Sequence, residues 1–221
     1  MDKYPLCNGC LLMKLCLSID LPDEARVLDV AGRVGSYFDV IEVGTSLLKY
    51  SGVGIVQKIK DRCPGKPVFV DSKIIDGPEK EALLMCQAGA DMFSMLACAT
   101  DQAVSTVLGI AERYGVDVMF DMQTVVDYQG RCTRLKALGA RYLCVHKSAD
   151  CGENLVGSFR EYLEIQRLCG LQMAIAGGVD IGMLEQAKPI LAPDIVIVGK
   201  AVVNAPDMEE RARRLREIAD R

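Results

Sequence analysis

Pro67-Val68-Phe69-Val70-Asp71-Ser72-Lys73-Ile74-Ile75-Asp76 joins an apolar run to two carboxylates that bracket one ammonium. Charges at the end of a buried strand are costly unless they pair or coordinate something. A strand alternates its faces, so Asp71 and Lys73 can point the same way. That arrangement is the chemistry of a polar pocket. Taken alone, the stretch reads equally well as a solvated turn with an incidental ion pair, and the rest of the chain decides between the two.

Outward from this stretch, short apolar runs recur with a helix-like segment after each. The runs at 14–20, 40–43, 67–71, 91–95, 116–121, 141–146, 172–176 and 194–198 read as strands. Most are near-continuously apolar, as parallel strands covered on both faces should be. Pro22-Asp23-Glu24 opens the first helix with an acidic turn. Residues 78–88 place Ala82, Leu83, Met85 and Cys86 on one stripe, and 101–114 and 206–219 read similarly. Gly89, Gly115, Gly139 and Gly170 fall where helices should end. Eight alternating units predict an α/β fold, a single-domain (β/α)8 TIM barrel over 13–221 with an N-terminal extension at 1–12. A doubly wound sheet would call for glycine in the first turn, and Ile19-Asp20-Leu21-Pro22 has none.

Composition narrows the function classes. The chain has 221 residues, 50% hydrophobic and 25% charged, which suits one large domain. A net charge of −4 argues against non-specific nucleic-acid binding. The run Arg211, Arg213, Arg214, Arg216 is interleaved with Glu209, Glu210 and Glu217 and reads as the wet face of a terminal helix. Lys14 interrupts the short apolar stretch Leu11-Leu12-Met13, so neither a membrane span nor a signal peptide is expected. Of the ten cysteines, Cys16, Cys86, Cys98, Cys144 and Cys169 lie in or beside apolar segments, where a thiol behaves as a small hydrophobe. Only Cys7-Asn8-Gly9-Cys10 has metal-ligand spacing, and no second pair completes a zinc site. The expected setting is reduced and cytoplasmic.

In such a barrel the active site gathers at the C-terminal strand ends. Those ends carry, in order, Asp20; Glu42 with Gly44-Thr45; Asp71, Lys73 and Asp76; Met95, with nothing polar; Asp121 with Gln123; His146, the only histidine; Gly177-Gly178; and Gly199-Lys200. Asp20 reads equally as a cap on the first helix. Glu42 lies between Ile41 and Val43 and needs a cation or strong donors. Glu42 and Asp71, on adjacent strands, suit a hard divalent ion such as Mg2+. Lys73 can stabilise an enediolate, and His146 with Asp121 can move a proton. The glycine pairs after strands seven and eight, with Lys200, suit a phosphate. Two carboxylates beside Lys73 should raise its pKa and oppose Schiff-base chemistry.

These residues resemble the orotidine 5′-monophosphate decarboxylase superfamily, which carries an Asp-x-Lys-x-x-Asp motif after strand three. The likeness is nearest to its 3-hexulose-6-phosphate synthase and 3-keto-L-gulonate-6-phosphate decarboxylase branch. It spans about Met13 to the C-terminus and rests on Ile41-Glu42-Val43-Gly44-Thr45, Asp71–Gly77, Ala88-Gly89-Ala90-Asp91, Ala176-Gly177-Gly178 and Val198-Gly199-Lys200-Ala201. The resemblance implies Mg2+ on Glu42 and Asp71, enediolate stabilisation by Lys73, and phosphate at Gly178, Gly199 and Lys200. It implies that Asp20 contacts the substrate or the charge cluster. It also implies a homodimer in which Asp76 reaches into the partner's site.

Within the branch, decarboxylases tend to carry Glu where this chain has Asp121, and arginine where it has Ala149. The expected activity is therefore that of a carbon–carbon lyase of the synthase type, joining formaldehyde to ribulose 5-phosphate. The decarboxylase is the alternative. A non-catalytic phosphosugar-binding barrel is the alternative of another class. The segment 147–154 lacks the Ala-Ala-Gly run usual there, Gln123 replaces a usually apolar neighbour, and Lys200 stands where the decarboxylases often have arginine.

Overall fold

Parallel strands pair in chain order and close, the first bonding to the eighth. The structure, a computed structural model, describes residues 13–146 and 170–221. The extension at 1–12, with Cys7 and Cys10, lies outside the described residues, as do Ala149, Cys169 and the segment 147–154. The strands are β1 (Lys14–Ile19), β2 (Val40–Val43), β3 (Val68–Ile74), β4 (Met92–Leu96), β5 (Asp117–Asp121), β6 (Tyr142–His146), β7 (Gln172–Ala176) and β8 (Ile195–Val198). The described helices are α1 (Glu24–Val34), α2 (Thr45–Ser51), α3 (Gly54–Arg62), α4 (Pro78–Gln87), α5 (Asp101–Tyr114), α6 (Tyr128–Ala137), α7 (Ile181–Leu191), α8 (Lys200–Val203) and α9 (Met208–Asp220). The predicted (β/α)8 barrel is the observed fold.

Each strand sends alternate side chains in two directions. One set, including Leu15, Leu17, Ile41, Val43, Phe93 and Phe120, packs fully buried beneath the helices. The other set fills the barrel. Its lower layer is apolar: Cys16, Phe69, Met119, Tyr142, Cys144, Ala174, Ile195 and Ile197 form one buried cluster. One step further along the same inward rows stand Ser18, Glu42, Asp71, Ser94, Asp121 and His146. The polarity of the interior thus changes between one layer and the next. That change places a site at the C-terminal rim.

The opposite rim is fastened by aspartates that precede strands. Asp39 accepts the Leu15 N–H at 2.8 Å, Asp91 accepts that of Val68 at 2.8 Å, and Asp194 that of Met173 at 2.7 Å. Each satisfies a backbone donor at the start of a neighbouring strand. Asp23, Thr100, Asp127, Asp180 and Asp207 cap helices in the ordinary way, each accepting an N–H three residues on. Asp23, not Asp20, caps the first helix.

One strand departs from its predicted bounds. β3 continues through Lys73 to Ile74 and does not stop at Asp71. Its register against β4 shifts on the way: Val70 pairs with Phe93, and Ile74 with Met95. Simple alternation therefore fails across Asp71–Lys73, although both side chains reach the interior. Cys98, expected in an apolar segment, is exposed.

The rim aspartates give a direct check on the fold. Asp91 also pairs with Lys60 at 2.9 Å. Asp91→Ala is expected to lower stability by about 1–2 kcal/mol, the cost of a lost charged acceptor at a half-buried strand start. Urea denaturation monitored by circular dichroism measures it. A change below a few tenths of a kcal/mol would show that the cap is unimportant.

Candidate active site

The rim layer encloses a cavity of about 520 Å³. Most of the predicted residues meet there. Asp20, Glu42, Asp71, Asp121, His146, Gly177, Gly178, Gly199 and Lys200 all line it. Lys73 joins them through its ammonium, which sits 2.6 Å from Asp121 Oδ2 and 3.1 Å from the Asp71 carboxylate. His146 Nδ1 lies 2.9 Å from the same Asp121 oxygen and 3.4 Å from Lys73 Nζ. Asp121 Oδ1 accepts the Gln123 N–H at 2.9 Å, which fixes the carboxylate from its other side.

These contacts set the protonation states. Burial alone would lower the Lys73 pKa, but Asp71 and Asp121 together outweigh it and hold the ammonium well above the ordinary lysine value. Burial alone would raise Asp121, and the His146 hydrogen bond with the Lys73 charge brings it below the usual carboxylate range. Lys73 is thus a fixed cation and Asp121 a fixed anion at neutral pH.

Glu42 is in a different position. It is 5% exposed and has no cation in direct contact. Its partners are the Ser18 hydroxyl at 2.7 Å and the Cys16 thiol at 3.8 Å. Burial, then the charge of Asp71, pushes its pKa up to about 8. A buried carboxylate facing a second carboxylate across a cavity is the donor set that a hard cation would relieve. Among the described residues no three His, Cys, Asp or Glu side chains converge on a metal position. A cation here would take two protein carboxylates and fill its other positions with water or substrate oxygens, as Mg2+ commonly does.

Gly177 and Gly178 follow β7 with φ of 101° and 64°. Two successive left-handed residues at a turn favour glycine. Both line the cavity, as do Gly199 and Lys200 after the neighbouring strand β8. Asp20 spends its carboxylate on α2. It accepts the Leu47 N–H at 2.9 Å and the Ser46 hydroxyl at 3.0 Å, packed so closely on Gly44 that a Cβ there would strike it. Asp20 therefore fastens the rim of the cavity that it lines. Asp76 stands apart: it is exposed, accepts its neighbour's Gly77 N–H at 2.9 Å, and does not line this chain's own cavity.

Three hydroxyls escaped the sequence reading. Ser18 donates to Glu42. Thr45, named there beside Gly44 with no role of its own, donates to Asp71 Oδ2 at 2.8 Å. Ser94 donates to Asp71 Oδ1 at 2.7 Å, so strand four, expected to add nothing polar, supplies a site residue. A serine inside Met92-Phe93-Ser94-Met95-Leu96 was the available signal, because a hydroxyl in a buried strand must find a partner.

The chain and its fold match a known group. The chain belongs to the orotidine 5′-phosphate decarboxylase / HUMPS family, whose model matches residues 13–215. It is 32% identical to the 3-hexulose-6-phosphate synthase 2 of Staphylococcus saprophyticus, over 94% of this chain and 98% of that one. Among solved structures it resembles the 3-hexulose-6-phosphate synthase of Salmonella typhimurium, with TM-score 0.88 and 31% identity, over 94% of this chain and 98% of that chain. The 3-keto-L-gulonate-6-phosphate decarboxylase of Vibrio cholerae, 23% identical over 94% of this chain and 97% of that chain, shares the fold with TM-score 0.83.

The raised pKa of Glu42 has a measurable consequence for stability. The folded chain holds this proton more tightly than the unfolded chain, whose glutamate keeps its ordinary 4.5. Stability from the protonated form is full below about pH 4.5 and is lost as pH rises toward about 8. Glu42→Gln stays neutral throughout. In metal-free buffer its melting temperature is expected to equal that of the parent near pH 5. By pH 8 it should exceed the parent's by on the order of 5 °C. A pH-independent difference in a calorimetric series would contradict the assignment.

Proposed function

We propose that this chain is a Mg2+-dependent 3-hexulose-6-phosphate synthase, an aldehyde-lyase that joins formaldehyde to ribulose 5-phosphate and runs the reverse cleavage. The observation that carries the reading is the triangle of Lys73, Asp121 and His146 beside the unneutralised Glu42. It is supported by full-length similarity to relatives named as synthases.

The residues divide the work as follows. Gly177, Gly178, Gly199 and Lys200 take the phosphate, the glycines through backbone N–H groups and Lys200 as a point charge. Glu42 and Asp71 hold the Mg2+. When bound, the ion supplies a Lewis acid for the substrate's oxygens. With its Nδ1–H directed at Asp121, the His146 imidazole keeps Nε2 as its basic nitrogen. That nitrogen takes the proton from C1 of the pentulose phosphate as the C1–H electron pair moves into a C1–C2 double bond. The Lys73 ammonium stabilises the negative charge of the resulting 1,2-enediolate. C1 then attacks the formaldehyde carbon, and the new alkoxide recovers the proton from the imidazolium. Asp121 orients His146 and stabilises its charged form throughout.

Two copies form a homodimer in which Asp76 reaches the partner's cavity; its exposure outside its own cavity, next to the exposed apolar Ile75, supports this. The setting is cytoplasmic, which the free thiols of Cys16, Cys63, Cys86, Cys98, Cys132 and Cys144 support. No helix among the described residues is long and apolar enough to cross a membrane.

A paired assay tests the function. One arm mixes ribulose 5-phosphate, formaldehyde and Mg2+ and follows formaldehyde loss. The other offers 3-keto-L-gulonate 6-phosphate and follows CO2. Activity in the first arm is expected. Activity in the second alone would replace the synthase by the decarboxylase. Silence in both, with Mg2+-dependent binding of ribulose 5-phosphate retained, would leave a sugar-phosphate-binding barrel.

Two variants test the assigned roles. Glu42→Gln should reduce the rate by more than about a hundredfold, since even outer partners of a metal site cost tenfold to a hundredfold. Lys200→Ala should raise KM for ribulose 5-phosphate about tenfold with kcat little changed, because a phosphate contact is shared by ground and transition states. A fall in kcat at constant KM would contradict that division.

A further inference from the structure

The irregularity in β3 is built around one residue of β4. Because Val70 pairs with Phe93 and Ile74 with Met95, the segment Asp71-Ser72-Lys73 faces Ser94 alone. Such bulges re-aim side chains, and they persist only where something holds them. Lys73 has φ of 48°, a left-handed conformation that a residue with a Cβ adopts reluctantly.

Ser94 supplies the hold. It is 1% exposed. Its hydroxyl oxygen accepts the Lys73 N–H at 2.9 Å, and its proton goes to Asp71 Oδ1 at 2.7 Å. Its carbonyl accepts the Ser72 hydroxyl at 2.7 Å. One buried residue therefore bonds to each of the three residues in the bulge. A hydroxyl can accept from an amide and donate to a carboxylate at the same time; an alkyl group can do neither and a thiol does both weakly.

We propose that Ser94 is the positioning residue of this site. Its hydroxyl locks the Lys73 backbone in the left-handed turn and the Asp71 carboxylate in one rotamer, so that ammonium and carboxylate hold a fixed relation while the reaction passes. Ser94 acts through these two groups, and the proposal rests on the function proposed above. Loss of the hydroxyl would let Lys73 relax toward ordinary strand geometry. That would move the ammonium away from Asp121 and from the place where the enediolate charge develops.

Full-length Ser94→Ala, Ser94→Cys and Ser94→Thr variants test it with two independent readouts. The first is steady-state kinetics with ribulose 5-phosphate and formaldehyde. Ser94→Ala is expected to lower kcat about thirtyfold to a hundredfold, as misplacement of a catalytic group by about 1 Å does. KM for ribulose 5-phosphate should change less than about threefold, since the phosphate is gripped elsewhere. Ser94→Cys, which keeps the shape with a weak donor, should fall with it. Ser94→Thr, which keeps the hydroxyl, should stay within about fivefold of the parent.

The second readout is hydrogen exchange of the Lys73 amide in metal-free, substrate-free protein. Exchange should be about tenfold faster or more in the alanine and cysteine variants, while the Ile41 amide, bonded to the Pro67 carbonyl, is unchanged. A cysteine variant with the parent's kcat, a threonine variant no better than cysteine, or unaltered Lys73 exchange would each overturn the proposal. Should the parent protein form no product from these substrates, the function falls, while the exchange measurement still decides the role of Ser94.

Discussion

The Lys73 ammonium between Asp71 and Asp121 is the interaction on which the rim of this barrel depends. Without that cation, Glu42, Asp71 and Asp121 would crowd several negative charges into a half-enclosed cavity of about 520 Å³. Desolvation penalises each of them, and a carboxylate with no compensating charge would be driven to take up a proton. Lys73 neutralises the side nearest His146 and leaves the Glu42 side in need of a cation. The cavity is therefore polarised, with a fixed positive group at one end and an unmet negative demand at the other.

Keeping the ammonium there takes three layers of support. Asp121 is held by Gln123 and His146, Asp71 by Thr45 and Ser94, and the Lys73 backbone by Ser94 again. β3 gives up regular pairing to deliver the side chain, and β4 supplies what the regular ladder would have supplied. The local disorder of pairing is thus matched by local hydrogen bonding. This is the expected pattern where strain is retained at a working site.

Much of this was legible in the sequence, for identifiable reasons. The eight apolar runs announced parallel strands because both faces of each must be covered. Glu42 stands out because a carboxylate between Ile41 and Val43 needs a cation or strong donors; Asp121, at a strand end, reads also as a turn residue, and both prove nearly fully buried. The bulge was illegible. Period-two reasoning assumes constant register, and the shift at 70–74 depends on a partner about twenty residues away. Ser94 is hidden for a related reason: the strand end carries Met95, and the inward row of β4 has its polar residue one place earlier. Asp20 was recognisable as a rim residue, but its attachment to α2 depends on packing against Gly44 across a strand boundary.

The floor beneath these charges has a consequence of its own. Cys16 and Cys144 are buried thiols, and Cys144 lines the cavity. Burial, then the surrounding negative charge, raises both far above the ordinary thiol value. The thiolate, not the thiol, is the reactive nucleophile. Sulfur bordering this cavity is therefore held in its protonated, weakly nucleophilic form. The burial that leaves Glu42 wanting a counter-charge thus also keeps the sulfur of the floor out of thiolate chemistry.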